Sequence, residues 1–281
     1  MKNIKKYLNI IVTATILLFI GEIIGSIFTI FIKIIFNISD KYNILLDYLS
    51  FIGIIITIVL YLLLFKKDIY LLKKIKFKPS HFFIGCLIGF LLNSICALSA
   101  IINKDLSLSL GSFSIITLII SFLVITIQST AEELVCRLFV YQNLRRISKS
   151  PLVWILVNSI FFGLLHIAND GVTILAIIDI IIYGIFMSLL VYYFDSIWLV
   201  SAIHTSWNFT QNIILGLPNS GIKSTISVYN IIYSKNSFFY DINFGVEGTL
   251  FCILLLTIST FIIYLLFRKN RKNIDNKSLS Y

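Results

Sequence analysis

Prolines are scarce in this chain, three in 281 residues. Pro79, Pro151 and Pro218 each fall at or beyond the end of a hydrophobic run, which excludes proline kinks inside the runs. Cysteines are also few. Cys86, Cys96, Cys136 and Cys252 lie in apolar segments with no CxxC pair, so a disulfide framework and a cysteine zinc site are set aside. No internal repeat is evident, and only the last dozen residues look like a solvated tail. Acidic residues number 13 against 23 lysines and arginines, a net charge of +10 that would suit nucleic acid if it were gathered in one domain. It is spread between apolar runs instead, where it marks membrane topology and contacts to anionic lipid, so no nucleic-acid partner is expected.

What the chain has in abundance is long hydrophobic sequence. It is 58% hydrophobic, and its mean hydropathy is +0.97. Several runs approach the ~20 residues that cross a bilayer as a helix. Eight spans are expected, near 8–33, 44–65, 81–103, 113–144, 152–168, 172–194, 196–215 and 247–267. The fold class is therefore an all-α, polytopic membrane helix bundle, read as one membrane domain over 1–281 with core spans at 113–215 and a cytoplasmic tail at 268–281. The first run follows a lysine-rich start but continues almost unbroken to Phe36, too long for a cleaved leader, and is read as an uncleaved span.

Basic residues alternate between connections. Lys66, Lys67, Lys73, Lys74, Lys76 and Lys78 follow the second span, Arg145, Arg146 and Lys149 the fourth, and Arg268, Lys269, Arg271 and Lys272 the last. The other connections are poor in Lys and Arg, which puts both termini in the cytoplasm. Span four is long, about 48 Å at 1.5 Å per residue against a hydrocarbon core of about 30 Å. It has to tilt, project or break, and a break would lay Tyr141 to Arg146 along the cytoplasmic surface.

Charge inside such runs is costly and points to function. Glu132 and Glu133 stand side by side in span four, and Arg137 follows one helical turn after Glu133. The i,i+4 spacing pairs Glu133 with Arg137 and leaves Glu132 free to act as a general base. His166 ends span five, and His204 and Asn208 share a face of span seven. Counting 1.5 Å per residue from the basic side puts Glu132 at a depth of about 20 Å, His166 about 22 Å, His204 about 12 Å and Asn208 about 18 Å. One cavity between spans four, five and seven can hold all four.

The run from Glu132 to Arg137, Phe162 and His166 as FxxxH, and His204 and Asn208 as HxxxN resemble the three motifs of the CPBP family of intramembrane proteases. That family includes the type II CAAX prenyl endopeptidase and bacterial bacteriocin-processing or immunity proteins. Ser196 to His204 also resembles the family's lead-in to its last motif, and the resemblance covers residues 125–215. It implies an endopeptidase acting on a membrane-associated protein or peptide, in a CAAX-type, peptide-maturation or bacteriocin-immunity role. Glu132 and His166 would activate a water, His204 and Asn208 would stabilise the oxyanion, and Glu133 and Arg137 would hold the site together.

No cofactor is favoured. Zinc would take Glu132, His166 and His204, but the HExxH pairing is absent, and no second carboxylate would remain as base with Glu133 tied to Arg137. Two rivals stand beside the protease. One is a proton-coupled transporter, although no inverted repeat is found; the other is a non-enzymatic immunity protein that binds a toxin or its receptor. Glu22, Asp47, Asn93, Asn158 and Asp179 carry no motif and are assigned to packing or helix contacts.

Overall fold

The computed structural model describes residues 2–65 and 68–270. Lys66, Lys67, Arg271, Lys272 and the rest of the expected tail beyond Asn270 lie outside the described residues. The helices are α1 (Lys2–Ile35), α2 (Asn43–Ser50), α3 (Ile52–Leu64), α4 (Pro79–Ile102), α5 (Ile115–Glu133), α6 (Tyr141–Ile147), α7 (Pro151–Leu164), α8 (Ile174–Phe194), α9 (Ile197–Asn208) and α10 (Leu250–Phe267). Two π-helical turns continue helices of this set, Leu134–Val140 between α5 and α6 and Phe209–Ile214 after α9.

Six helical stretches are long and apolar enough to cross a bilayer, and α7 is a shorter apolar helix. The connections nevertheless sort onto two ends. Asp68 meets Arg146 at 2.9 Å and Lys74 meets Asp195 at 2.8 Å, which joins the second, fourth and sixth connections at one end. At the other end, Thr225 Oγ1 donates to Lys41 O (2.6 Å), Lys235 N to Asp105 O (3.0 Å) and Asn169 Nδ2 to Ser220 O (2.8 Å), joining the first, third, fifth and seventh. The chain therefore passes from end to end eight times, with α7 and the α9 segment as the two passes that fall short of the six. At 1.5 Å per residue α7 is about 21 Å long, shorter than a hydrocarbon core of about 30 Å.

Local sequence explains the boundaries. Pro79 and Pro151 open α4 and α7, where a missing N–H costs nothing. Thr173, Ser196 and Thr249 cap α8, α9 and α10 by accepting from Ala176, Leu199 and Cys252 N–H groups. Long span four does not break into a surface segment. The helix runs through the π turn into α6, and Tyr141, Gln142, Asn143 and Leu144 are buried rather than lying on a surface.

Glycines set the closest approaches. Gly85 and Gly89 lie on the α4 face against α9, where an added Cβ would overlap the carbonyls of Leu199 and Ile203. This is the small-xxx-small packing used by membrane helices, and it seats α9 directly on α4. A feature outside the all-α expectation is a two-stranded antiparallel ribbon, β1 (Leu106–Leu110) with β2 (Tyr229–Ser234), at the end shared by the odd-numbered connections. Outward-facing Ile, Leu and Phe side chains on α1, α4, α5 and α10 are exposed, as a lipid solvent allows.

Candidate functional site

Glu133 and Arg137 form the centre. Glu133 Oε1 accepts from Arg137 Nη1 at 3.1 Å, and both side chains are 0% exposed. Glu133 is the last residue of α5 and Arg137 lies within the π turn. π turns occur mostly as single turns at functional sites, and here each of the two begins directly after a motif: one after Glu133, the other after Asn208. The Arg137 guanidinium lies 4.3 Å from the Phe162 ring centre, so a ring face covers the side of the cation that the carboxylate leaves open.

Phe162 has a second task. Its carbonyl oxygen is 2.9 Å from His166 Nδ1; a carbonyl only accepts, so Nδ1 carries the proton and Nε2 is left for other partners. One residue thus braces the ion pair with its ring and orients a histidine with its backbone, which gives the FxxxH spacing a physical cause. His166 itself sits in the turn after α7, because the helix ends at Leu164 rather than continuing to 168.

His204 joins the centre from α9. Its Nδ1 donates to Glu133 Oε1 at 3.0 Å, and its Nε2 lies 3.8 Å from Glu132 Oε2. Glu132 is 13% exposed; its Oε1 accepts from Gln128 Nε2 at 2.6 Å, while Oε2 is buried with no hydrogen-bond partner. Glu133 Oε1 is therefore shared by Arg137 and His204; both carboxylates keep an unpartnered Oε2, but only Glu132 is without a bonded cation and partly exposed. Asn208 Nδ2 donates to Gln128 Oε1 at 3.1 Å, so Gln128 bridges Glu132 and Asn208.

A cavity of about 20 Å³ is lined by Phe162, His166, Tyr183, His204, Asn208 and Glu247, among others. That volume holds about one water. His166, His204 and Asn208 thus share a space, with Glu132 reaching the group through His204 and Gln128 rather than lining the cavity. Ser220, which lines the cavity too, also walls an open cleft of about 620 Å³ between residues 168–171 and 220–223.

Among the described residues no three His, Cys, Asp or Glu side chains are placed to hold a metal ion. Of the residues zinc would take, His166 and His204 line one cavity and Glu132 does not line it.

Sequence reasoning missed three polar groups here. Gln128 stands one helical turn before Glu132, the same i,i+4 spacing that pairs Glu133 with Arg137, and that spacing was the signal that could have found it. Asn219 lies in the seventh connection, and Glu247 was counted into the last span although α10 begins at Leu250. Glu247 Oε1 accepts from Trp207 Nε1 (2.7 Å) and Asn219 Nδ2 (3.1 Å), and its Oε2 from Ser220 N (2.8 Å) and Ser220 Oγ (2.9 Å). Asp179 accepts from Gly248 N at 3.0 Å, Asn93 Nδ2 donates to Gln211 Oε1 at 2.7 Å, and Asn158 Nδ2 to Ser188 Oγ at 2.9 Å, which are helix and loop contacts. Glu22 and Asp47 are exposed.

The family model described as Rce1-like, type II CAAX prenyl endopeptidase, matches residues 113–210, about a third of the chain. This is the CPBP and CAAX protease family that the three motifs resemble, and the matched segment contains all of them. No curated protein and no solved structure matches the chain. The match supports an intramembrane protease of CAAX type in general.

Proposed function

With residues 113–210 matching the Rce1-like family, we propose that this chain is an intramembrane endopeptidase that hydrolyses a peptide bond of a membrane-associated protein or peptide with a water activated by Glu132 and His166. The observation that carries the assignment is the unequal state of the adjacent carboxylates. Glu133 is 0% exposed and its Oε1 is held by both Arg137 and His204, while Glu132 is 13% exposed, has no arginine on it, and its unpartnered Oε2 lies 3.8 Å from His204 Nε2. A carboxylate oxygen with no hydrogen bond of its own is placed to accept a proton from water. As that water adds to the scissile carbonyl, the doubly protonated His204 donates from Nε2 and Asn208 from its second N–H to the oxyanion, and the proton taken up from the water passes to the leaving amine. His166, fixed by the Phe162 carbonyl with Nε2 free, faces the same small cavity and completes the acid–base pair. We assign both termini to the cytoplasm, since Lys73, Lys74, Arg145 and Arg146 lie on the connections gathered at one end of the bundle.

The test is cleavage by purified protein, paired with membrane peptidomics of cells carrying wild-type or Glu132→Gln chains. Glu132→Gln is expected to abolish cleavage while the protein stays folded and in the membrane. Full peptidase activity in the purified variant would overturn the role of Glu132.

A further inference from the structure

Three amide side chains join Glu132 to Glu247 in an unbroken line of four hydrogen bonds. Gln128 Nε2 donates to Glu132 Oε1 (2.6 Å), Asn208 Nδ2 to Gln128 Oε1 (3.1 Å), and Asn219 Nδ2 to Asn208 Oδ1 (3.2 Å) and Glu247 Oε1 (3.1 Å). An ionised carboxylate only accepts, and each amide has a donor end and an acceptor end. The carboxylates at the two ends therefore fix the direction of every amide between them. Asn219 spends one N–H on Glu247 and the other on Asn208, so Asn208 turns its oxygen to Asn219 and its NH₂ away from it. Gln128 then turns its oxygen to Asn208, where Ser129 Oγ also donates at 3.1 Å, and its NH₂ to Glu132.

The ends of this line come from separate parts of the chain. Gln128 is on α5, Asn208 on α9, and Asn219 and Glu247 lie in the seventh connection, beyond the segment that the family model matches. Glu247 is buried and takes four hydrogen bonds, all from donors, so it is a fixed acceptor rather than a mobile one. Reversing the line would point Asn208 Oδ1 to the Gln128 side and the Gln128 oxygen at Glu132, two acceptors face to face.

We propose that Gln128, Asn219 and Glu247 are positioning residues that form a one-way amide relay, holding the NH₂ of Asn208 toward the reacting centre and a donor on Glu132 Oε1. The relay's effect on turnover rests on the endopeptidase assignment; its effect on geometry does not. An oxyanion then meets an N–H at Asn208 rather than a lone pair, and Glu132 keeps Oε2 as its unbonded oxygen.

The experiment reverses the relay without changing its shape. Asn219→Asp replaces a double donor by an acceptor, and Glu247→Gln, used as the parent, removes the carboxylate that would otherwise face the new one. In that parent, Asn219→Asp turns Asn208 and Gln128 around and sets the Gln128 oxygen against Glu132. Glu132→Gln supplies an NH₂ at that contact, so the Tm loss caused by Asn219→Asp is expected to fall to half or less when Glu132→Gln is also present. Residues that share no contact and no network lose stability additively. An equal Tm loss with and without Glu132→Gln would overturn the relay. If the Glu247→Gln parent does not fold, Asn219→Asp and Glu132→Gln are combined in the wild-type chain and read in the same way.

Peptide cleavage gives the second readout. Asn219→Asp with Glu247→Gln is expected to lower kcat by at least about tenfold with KM within about twofold, the pattern of an interaction made in the transition state. Wild-type kcat in that folded variant would also overturn the relay. A wild-type protein without peptidase activity would count against the endopeptidase assignment, and the melting cycle would still decide the relay.

Discussion

Replacing Arg137 by Met removes a cation and nearly preserves volume, which isolates the worth of the central pair. Glu133 would be left as a carboxylate with 0% exposure, keeping only the bond from His204 Nδ1 and with Oε2 unpartnered. Stranding one member of a buried pair costs about 3 to 5 kcal/mol. The lost contact with the Phe162 ring, 4.3 Å from the guanidinium, contributes up to about 2 kcal/mol of the same sign. At about 2 to 4 °C per kcal/mol for a chain of this size, the pair alone puts Arg137→Met about 6 to 20 °C below wild type. Melting in detergent, followed by tryptophan fluorescence, measures it. The double variant Glu133→Gln with Arg137→Met strands no charge and keeps an amide oxygen for His204, so it is expected to regain more than half of the loss. Arg137→Met melting within about 2 °C of wild type, or a double variant less stable than either single one, would refute the idea that this pair is the brace of the site.

Gly89→Ala puts a Cβ into the carbonyl of Ile203, one residue before His204, and is expected to cost about 1 to 3 kcal/mol while lowering cleavage; unchanged activity and Tm would show that α9 can shift without moving the histidine. Cysteine labelling of intact cells is expected to leave positions near residue 149 protected and to modify positions near residue 223, with the reverse pattern overturning the assigned orientation. Chelator-treated, metal-analysed protein is expected to retain cleavage; stoichiometric zinc, with activity lost on chelation and restored by zinc alone, would reverse the choice of a glutamate-activated water.

Hydropathy alone reached all eight passes, because each of them is an apolar run bounded by basic or turn residues. It overran at α7, where Leu165, Ile167 and Ala168 extend the apolar run around His166 yet form the turn that carries it. The Glu133–Arg137 pair was legible because both partners lie on one segment, and spacing alone brings them together. Gln128 was equally within reach of spacing, since it stands one helical turn before Glu132, but it was overlooked as an uncharged residue. Asn219 and Glu247 were not legible: they lie in a long connection, and a carboxylate three residues before α10 has no local spacing that reveals its partners. The ribbon of β1 and β2 was equally hidden, since its strands are separated by more than a hundred residues.

Both π turns sit directly after a motif, and each holds one residue more than an α-helical path of the same shape would need. Deleting a single residue between Leu134 and Val140 would leave the chain free to close into plain α-helix. The helices on either side would keep their relative phase, because the wider turn is what absorbs the extra residue, while the side chains inside the turn would each take a new angular position. Such a chain would insert in the membrane as before, and no hydropathy plot would register the change. The guanidinium now facing Glu133 would face elsewhere, so a one-residue gap in this stretch separates relatives that keep the motif's letters from those that keep its geometry.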